Sequence, residues 1–193
     1  MNHAILDTAI HKAGLLAVET YITCAGPGIS EDSAHEKSLS AFMALHLHHV
    51  LGIQARPECP YTQIVKDLDM SPDRLSLNAI QLLTADIALY ENGLPVAVIE
   101  LKVFTDSKAM LPRFCNDLRK GDLVRLCERV PVYAVALICQ TERRKLGEQK
   151  AWIERGVGRQ LTYSQTQVTK TDSVSGEKPW EWCFGYVERG PIP

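Results

Sequence analysis

Seven consecutive residues, Val96-Ala97-Val98-Ile99-Glu100-Leu101-Lys102, constrain this chain more than any other stretch. Four apolar residues in a row fit a strand buried on both faces, in the middle of a sheet. A second strand-like run over 81–90 precedes it, and Glu91-Asn92-Gly93 between the two is a hairpin signal. Side chains alternate across a strand, so Glu100 and Lys102 project from one face. They stand where the apolar run ends, and charge buried there needs a partner or a use.

The parity of the hairpin decides whether Asp86, on the first strand, joins them. A two-residue Asn92-Gly93 loop sets Asp86 opposite Ile99, facing away from Glu100. A three-residue Glu91-Asn92-Gly93 loop sets it opposite Val98, diagonal to Glu100 on the same face and about 7–8 Å away. The three-residue loop, with Gly93 left-handed, or a compensating bulge is therefore expected.

Around this hairpin the spacing predicts alternating helices and strands. Residues 2–21 have helical periodicity, with Ile5, Ala9, Leu16 and Val18 on a buried side, ended by Gly26-Pro27-Gly28. A second helix starts near Ser30, where Ser30-Glu31-Asp32-Ser33 offers capping groups. It carries the stripe Leu39, Phe42, Met43, Leu47 and Val50, and stops at Gly52. A short strand over 53–58 ends at Cys59-Pro60. Ser71-Pro72-Asp73 marks a helix start or a turn within an otherwise unassigned 61–78. A helix over 111–129, a buried strand over 132–138 and a helix over 142–155 follow. Residues 162–178 form a polar loop or edge hairpin, and 180–186 alternate like a strand. The expected architecture is α/β, a central mixed sheet with the Asp86/Glu100/Lys102 hairpin in its middle and helices on both faces. Residues 1–160 form the core, and 161–193 are appended to the same domain.

Two carboxylates on one face can chelate a hard divalent cation, with a main-chain carbonyl, that of Leu101, and waters completing the shell. Such an ion polarises a phosphodiester and lowers the pKa of an attacking water, while Lys102 orients that water and stabilises developing charge.

The stretch Asp86-Ile87-Ala88-Leu89-Tyr90, the Glu91-Asn92-Gly93 turn and Ile99-Glu100-Leu101-Lys102 resemble the signature of the PD-(D/E)xK nuclease superfamily. The resemblance covers residues 30–140 and extends to element order: an early helix, a strand, the hairpin, a helix and a buried strand. It implies a restriction-endonuclease-like core, Mg²⁺ or Mn²⁺ held by Asp86, Glu100 and Leu101, and DNA as substrate. It also implies a role for Glu36, which matches the additional glutamate that many members carry on the first core helix. Ala85 replaces the proline of the motif. The segment after Lys102 lacks the Gln-x-x-x-Tyr pattern of the RecB-like exonuclease branch, which counts against that subgroup.

Bulk properties leave this reading open. The net charge of −2 over 193 residues argues against a dedicated basic wrapper of nucleic acid, but allows a local basic groove. Arg113, Arg119 and Lys120, or Arg143 and Arg144, are the natural phosphate contacts; the alternative for such runs is a solvated helix face. Trp180, Trp182 and Phe184 fit a strand covering its own core better than a base-stacking platform. His46 and His49 share a helical face, but lack further ligands and read as core-edge or solvent-facing.

None of the six cysteines forms a CxxC, Cys127 and Cys139 read as buried thiols, and zinc or a disulfide framework is not expected. No stretch suits a signal peptide or a membrane span, so the expected compartment is the cytoplasm. A single site cuts one strand, so double-strand cleavage would favour a homodimer. Two other readings compete: a non-catalytic nucleic-acid-binding or regulatory protein on the same scaffold, and an α/β protein unconnected with nucleic acid. The latter is favoured if Asp86 and Glu100 face opposite ways.

Overall fold

The computed structural model describes residues 2–25, 35–104, 109–139, 145–166 and 182–189. Six strands form one mixed sheet: β1 (Gln54–Pro60), β2 (Thr84–Glu91), β3 (Leu94–Phe104), β4 (Val132–Cys139), β5 (Thr162–Thr166) and β6 (Trp182–Arg189), in the order β1-β2-β3-β4-β6-β5. Only β3 and β4 run parallel, and α5 (Met110–Lys120) lies between them in sequence. The apolar run is therefore central, with β2 on one side and β4 on the other.

One face of the sheet is covered by α1 (His3–Ala25) and α2 (Glu36–Leu51). Alternate residues Ile87 and Leu89, Ala97, Ile99 and Leu101, and Tyr133, Val135 and Leu137 pack there against Ile10, Met43 and Leu47. The stripe on α1 is Leu6, Ala9, Ile10, Ala13 and Ala17; Ile5, expected on the buried side, falls beside it and is 57% exposed. Leu16 is half-buried and Val50 exposed, whereas Val18, Leu39, Met43 and Leu47 are buried as expected. Gly52, left-handed at φ 67°, closes α2. The expected start of that helix at Ser30-Glu31-Asp32-Ser33, and the Gly26-Pro27-Gly28 break, lie outside the described residues.

The opposite face carries α3 (Tyr61–Asp67) and α4 (Arg74–Ile80) at one end, with α5 and α6 (Leu146–Val157) at the other. The stretch 61–78, unassigned from sequence, is thus two short helices. Asp73 caps the second, its side chain accepting from the amides of Leu75 and Ser76.

The helix expected over 111–129 stops at Lys120 and gives way to 3₁₀ turns at Gly121–Val124 and Leu126–Glu128. Arg125 between them is left-handed at φ 55°. Close packing accompanies the change: a Cβ on Gly121 would stand 2.9 Å from both Cys127 Sγ and Val132 Cγ2. Cys127 is half-buried rather than buried, and the side chain of Cys139 lies outside the described residues, as do Trp180 and most of the 162–178 segment beyond β5.

The hairpin takes the second of the two expected forms, a shorter turn with a compensating bulge. Asn92 and Gly93 alone make the turn, both with positive φ (51° and 82°), and Glu91 pairs with Leu94. Parity is restored by a bulge: Tyr90 pairs with Pro95 but Leu89 with Ala97, leaving Val96 extra on β3. Pro95 has no amide hydrogen to donate, which is why the ladder slips there at little cost. Beyond the bulge Ile87 pairs with Ile99. Continued by one residue, this register sets Asp86 level with Glu100, not diagonal to it. Because Gly93 sits at φ 82° with open space around its missing Cβ, Gly93→Ala is expected to cost about 1 kcal/mol through backbone strain alone. Urea unfolding of the two proteins would check this.

Candidate functional site

The even residues of β3 build the site. Val98 belongs to the cluster under α3 and Phe104 to the cluster under α5 and α6, and Glu100 and Lys102 fall between the two. On β4 the residues paired with them are Ala134 and Ala136, small side chains that leave room above the sheet.

Glu100 is 0% exposed, and both of its oxygens are engaged. Oε1 accepts from the Tyr61 hydroxyl at 2.7 Å, and Oε2 accepts from Lys120 Nζ at 2.7 Å. Tyr61 opens α3 immediately after Pro60 and is itself fully buried. Burial raises the Glu100 carboxyl to about 8; Lys120 and the Tyr61 hydrogen bond oppose this, while Asp86 adds to it.

Asp86 is half-buried, and its Oδ2 accepts from the Leu101 amide at 2.7 Å. A carboxylate thus takes the amide that a ladder carbonyl would otherwise satisfy, at the point where the paired register of β2 and β3 ends. Its Oδ1 has no hydrogen bond among the described residues. Burial raises its pKa, countered by the Leu101 amide and by Lys102.

Lys102 Nζ lies 2.5 Å from Glu36 Oε1, 3.2 Å from Asp117 Oδ2 and 3.1 Å from the Leu101 carbonyl oxygen. Burial alone would lower its pKa, but Glu36, Asp117 and Asp86 outweigh that and raise it. Asp117 stands between the two lysines, with Oδ1 2.8 Å from Lys120 Nζ. Its Oδ2, although within ion-pair distance of Lys102, makes no hydrogen bond of good geometry among the described residues.

The sequence-predicted Asp86, Glu100, Leu101, Lys102 and Glu36 therefore meet in one place. Lys120, expected on a phosphate-binding surface, turns inward instead and joins Glu100 to Asp117. Arg113 and Arg119 are exposed on α5, whereas Arg143 and Arg144 lie outside the described residues. Tyr61 and Asp117 escaped sequence reasoning. The available signal for Asp117 was its i, i+3 spacing to Lys120 beside the buried positions Phe114 and Leu118. His46 lies elsewhere, hydrogen-bonded to Thr20 Oγ1 at 2.8 Å, and His48 Nδ1 is 2.7 Å from the Ile53 carbonyl oxygen.

Among the described residues no three His, Cys, Asp or Glu side chains form a ready-made metal set. The donor chemistry nevertheless suits a hard cation. Four carboxylates (Glu36, Asp86, Glu100, Asp117) surround two ammonium groups (Lys102, Lys120), so full ionisation leaves two negative charges in excess. That excess equals the charge of one divalent ion, and Asp86 Oδ1 is unoccupied by any protein donor described.

Comparison with protein-family models, curated proteins and solved structures gave no match. No helix among the described residues is long and apolar enough to cross a membrane.

Proposed function

We propose that this protein is a metal-dependent nuclease, hydrolysing DNA phosphodiester bonds by water attack at a PD-(D/E)xK centre on a restriction-endonuclease-like core. The observation that carries this reading is a fully buried carboxylate, Glu100, in register beside Asp86 and two residues from Lys102 on the same strand face. Burying a carboxylate costs several kcal/mol even when paired, so a merely structural ion pair is a poor reason to put one in a sheet centre. The order α2, β1, β2, β3, α5, β4 supports the same core, with α3 and α4 inserted before β2.

Asp86, Glu100 and the Leu101 carbonyl would hold Mg²⁺ or Mn²⁺. When bound, such an ion supplies Lewis-acid polarisation of the phosphate and a more acidic water. Lys102, steadied by Glu36, would orient the attacking water and offset charge developing on the phosphate. Arg113 and Arg119, exposed on the helix that carries Asp117 and Lys120, would contact flanking phosphates. A homodimer would pair two such centres for cleavage of both strands.

One observation favours the non-catalytic scaffold: Tyr61 and Lys120 already satisfy both Glu100 oxygens. Incubating the full chain with supercoiled plasmid and single-stranded DNA separates the readings. Cutting in Mg²⁺ or Mn²⁺, and none in EDTA, is the expected outcome. Absence of cutting, together with no Mn²⁺ binding by calorimetry, would leave only the scaffold.

A further inference from the structure

Two lysines enter the centre, and they are not equivalent. Lys102 comes from β3 and is tied to Glu36, Asp117 and its neighbour's carbonyl. Lys120 comes from α5 and is tied to Glu100 and Asp117. Among the described contacts only Lys120 neutralises Glu100; the other Glu100 oxygen is fixed by Tyr61, a neutral and fully buried group. Glu100 is itself closed to water, so anything else that binds it must replace a protein donor.

We propose that Lys120 is a built-in counter-cation, the group that a divalent ion must displace from Glu100 to reach the Asp86–Glu100 pair. This rests on the metal-dependent reading above. Like charges repel strongly in a site shielded from water, so the ammonium and the ion do not share Glu100 Oε2. Asp117 makes the exchange feasible. Its Oδ1 already holds Lys120 at 2.8 Å, so the ammonium leaves Glu100 without losing its last anionic partner. The lysine stem is long and Lys120 is half-buried, so this needs a rotamer change and no movement of α5. Lys120 is thus a positioning residue that sets metal affinity. Lys102 keeps Glu36 and Asp117 as anionic partners and gives up only its contact with the Leu101 carbonyl.

The test is calorimetric titration of the full chain with Mn²⁺ alone at pH 8, comparing wild type with Lys120→Met, Lys120→Gln and Lys102→Gln. Lys120→Gln keeps a hydrogen-bond donor for Glu100, and circular dichroism confirms folding of each protein. After correction for the proton that Glu100 releases, read from the buffer dependence of the heat, both Lys120 variants are expected to bind Mn²⁺ about tenfold more tightly than wild type, with a smaller gain for Lys102→Gln. A second readout needs no variant: in ¹³C-lysine-labelled wild type, Mg²⁺ should shift the Lys120 Cε resonance more than that of Lys102.

Mn²⁺ binding by wild type that Lys120 substitution leaves unchanged or weakens would overturn the counter-cation role and leave the metal site standing. A Lys102→Gln gain as large as that of Lys120→Gln would do the same. No Mn²⁺ binding by any folded protein would overturn both the role and the metal-dependent reading.

Discussion

If the proposed function holds, Asp86→Asn is expected to lower Mg²⁺-dependent DNA cleavage by about 10³-fold or more, since it would remove a charged ligand from an ion that would stabilise the transition state. The substitution is chosen for what it keeps. An asparagine side-chain oxygen still accepts the Leu101 amide that Asp86 Oδ2 now accepts at 2.7 Å, so the end of the β2–β3 ladder is preserved. On the same reading Lys102→Gln should lose about 10²–10⁴-fold, because the group proposed to position the water would be gone. It should also loosen the contacts to Glu36 and Asp117, so its melting temperature is the necessary companion measurement. Initial cleavage rates at saturating Mg²⁺, read beside thermal melts, separate chemistry from folding. Unimpaired cutting by folded Asp86→Asn would place the reaction centre elsewhere.

The metal-free protein should become less stable between pH 5 and pH 8, and Glu100→Gln should flatten that slope. Burial lifts the Glu100 carboxyl from 4.5 to about 8 in the folded state. Between those values the folded chain binds more protons than the unfolded one, so stability falls as pH rises. The full difference corresponds to at most about 5 kcal/mol, reached near pH 8. Asp86, also raised by burial, acts in the same sense, starting from its ordinary value of 3.8. His11 and His46, lowered chiefly by burial, act in the opposite sense near pH 6.5, but they are common to both proteins and cancel in the comparison. Lys102 and Lys120 are raised, so their contribution is constant below the alkaline range. Urea unfolding at four pH values provides the curves. Parallel curves for wild type and Glu100→Gln would show that Glu100 is not the titrating group.

The two predictions share a cause, a carboxylate placed where the sheet is driest. That placement was legible in residues 96–102, because four apolar residues in sequence leave a strand no solvent face and period-two alternation then fixes Glu100 and Lys102 on one side. The buried stripe of α2 was legible for a similar reason, helical period three to four, whereas Glu36 was singled out only through the family resemblance. Both are local rules, acting between residues a few positions apart.

What the rules left open was decided by contact between distant segments. Asn92-Gly93 was visible as a turn, but the slip at Val96 depends on β2 and Pro95 meeting across the hairpin. Tyr61 gives no local sign of its bond to Glu100, 39 residues away, and its role follows from α3 packing on the even face of β3. Lys120 reads from sequence as one more surface cation. Its inward turn is favoured because an unpaired buried carboxylate is far costlier than an ordered lysine, and only the folded chain has that carboxylate within reach. Sequence alone determined which strand face bears the charge, since the backbone sets alternation residue by residue. Tertiary structure alone decided which charges meet there, since that depends on which helices the sheet buries beneath.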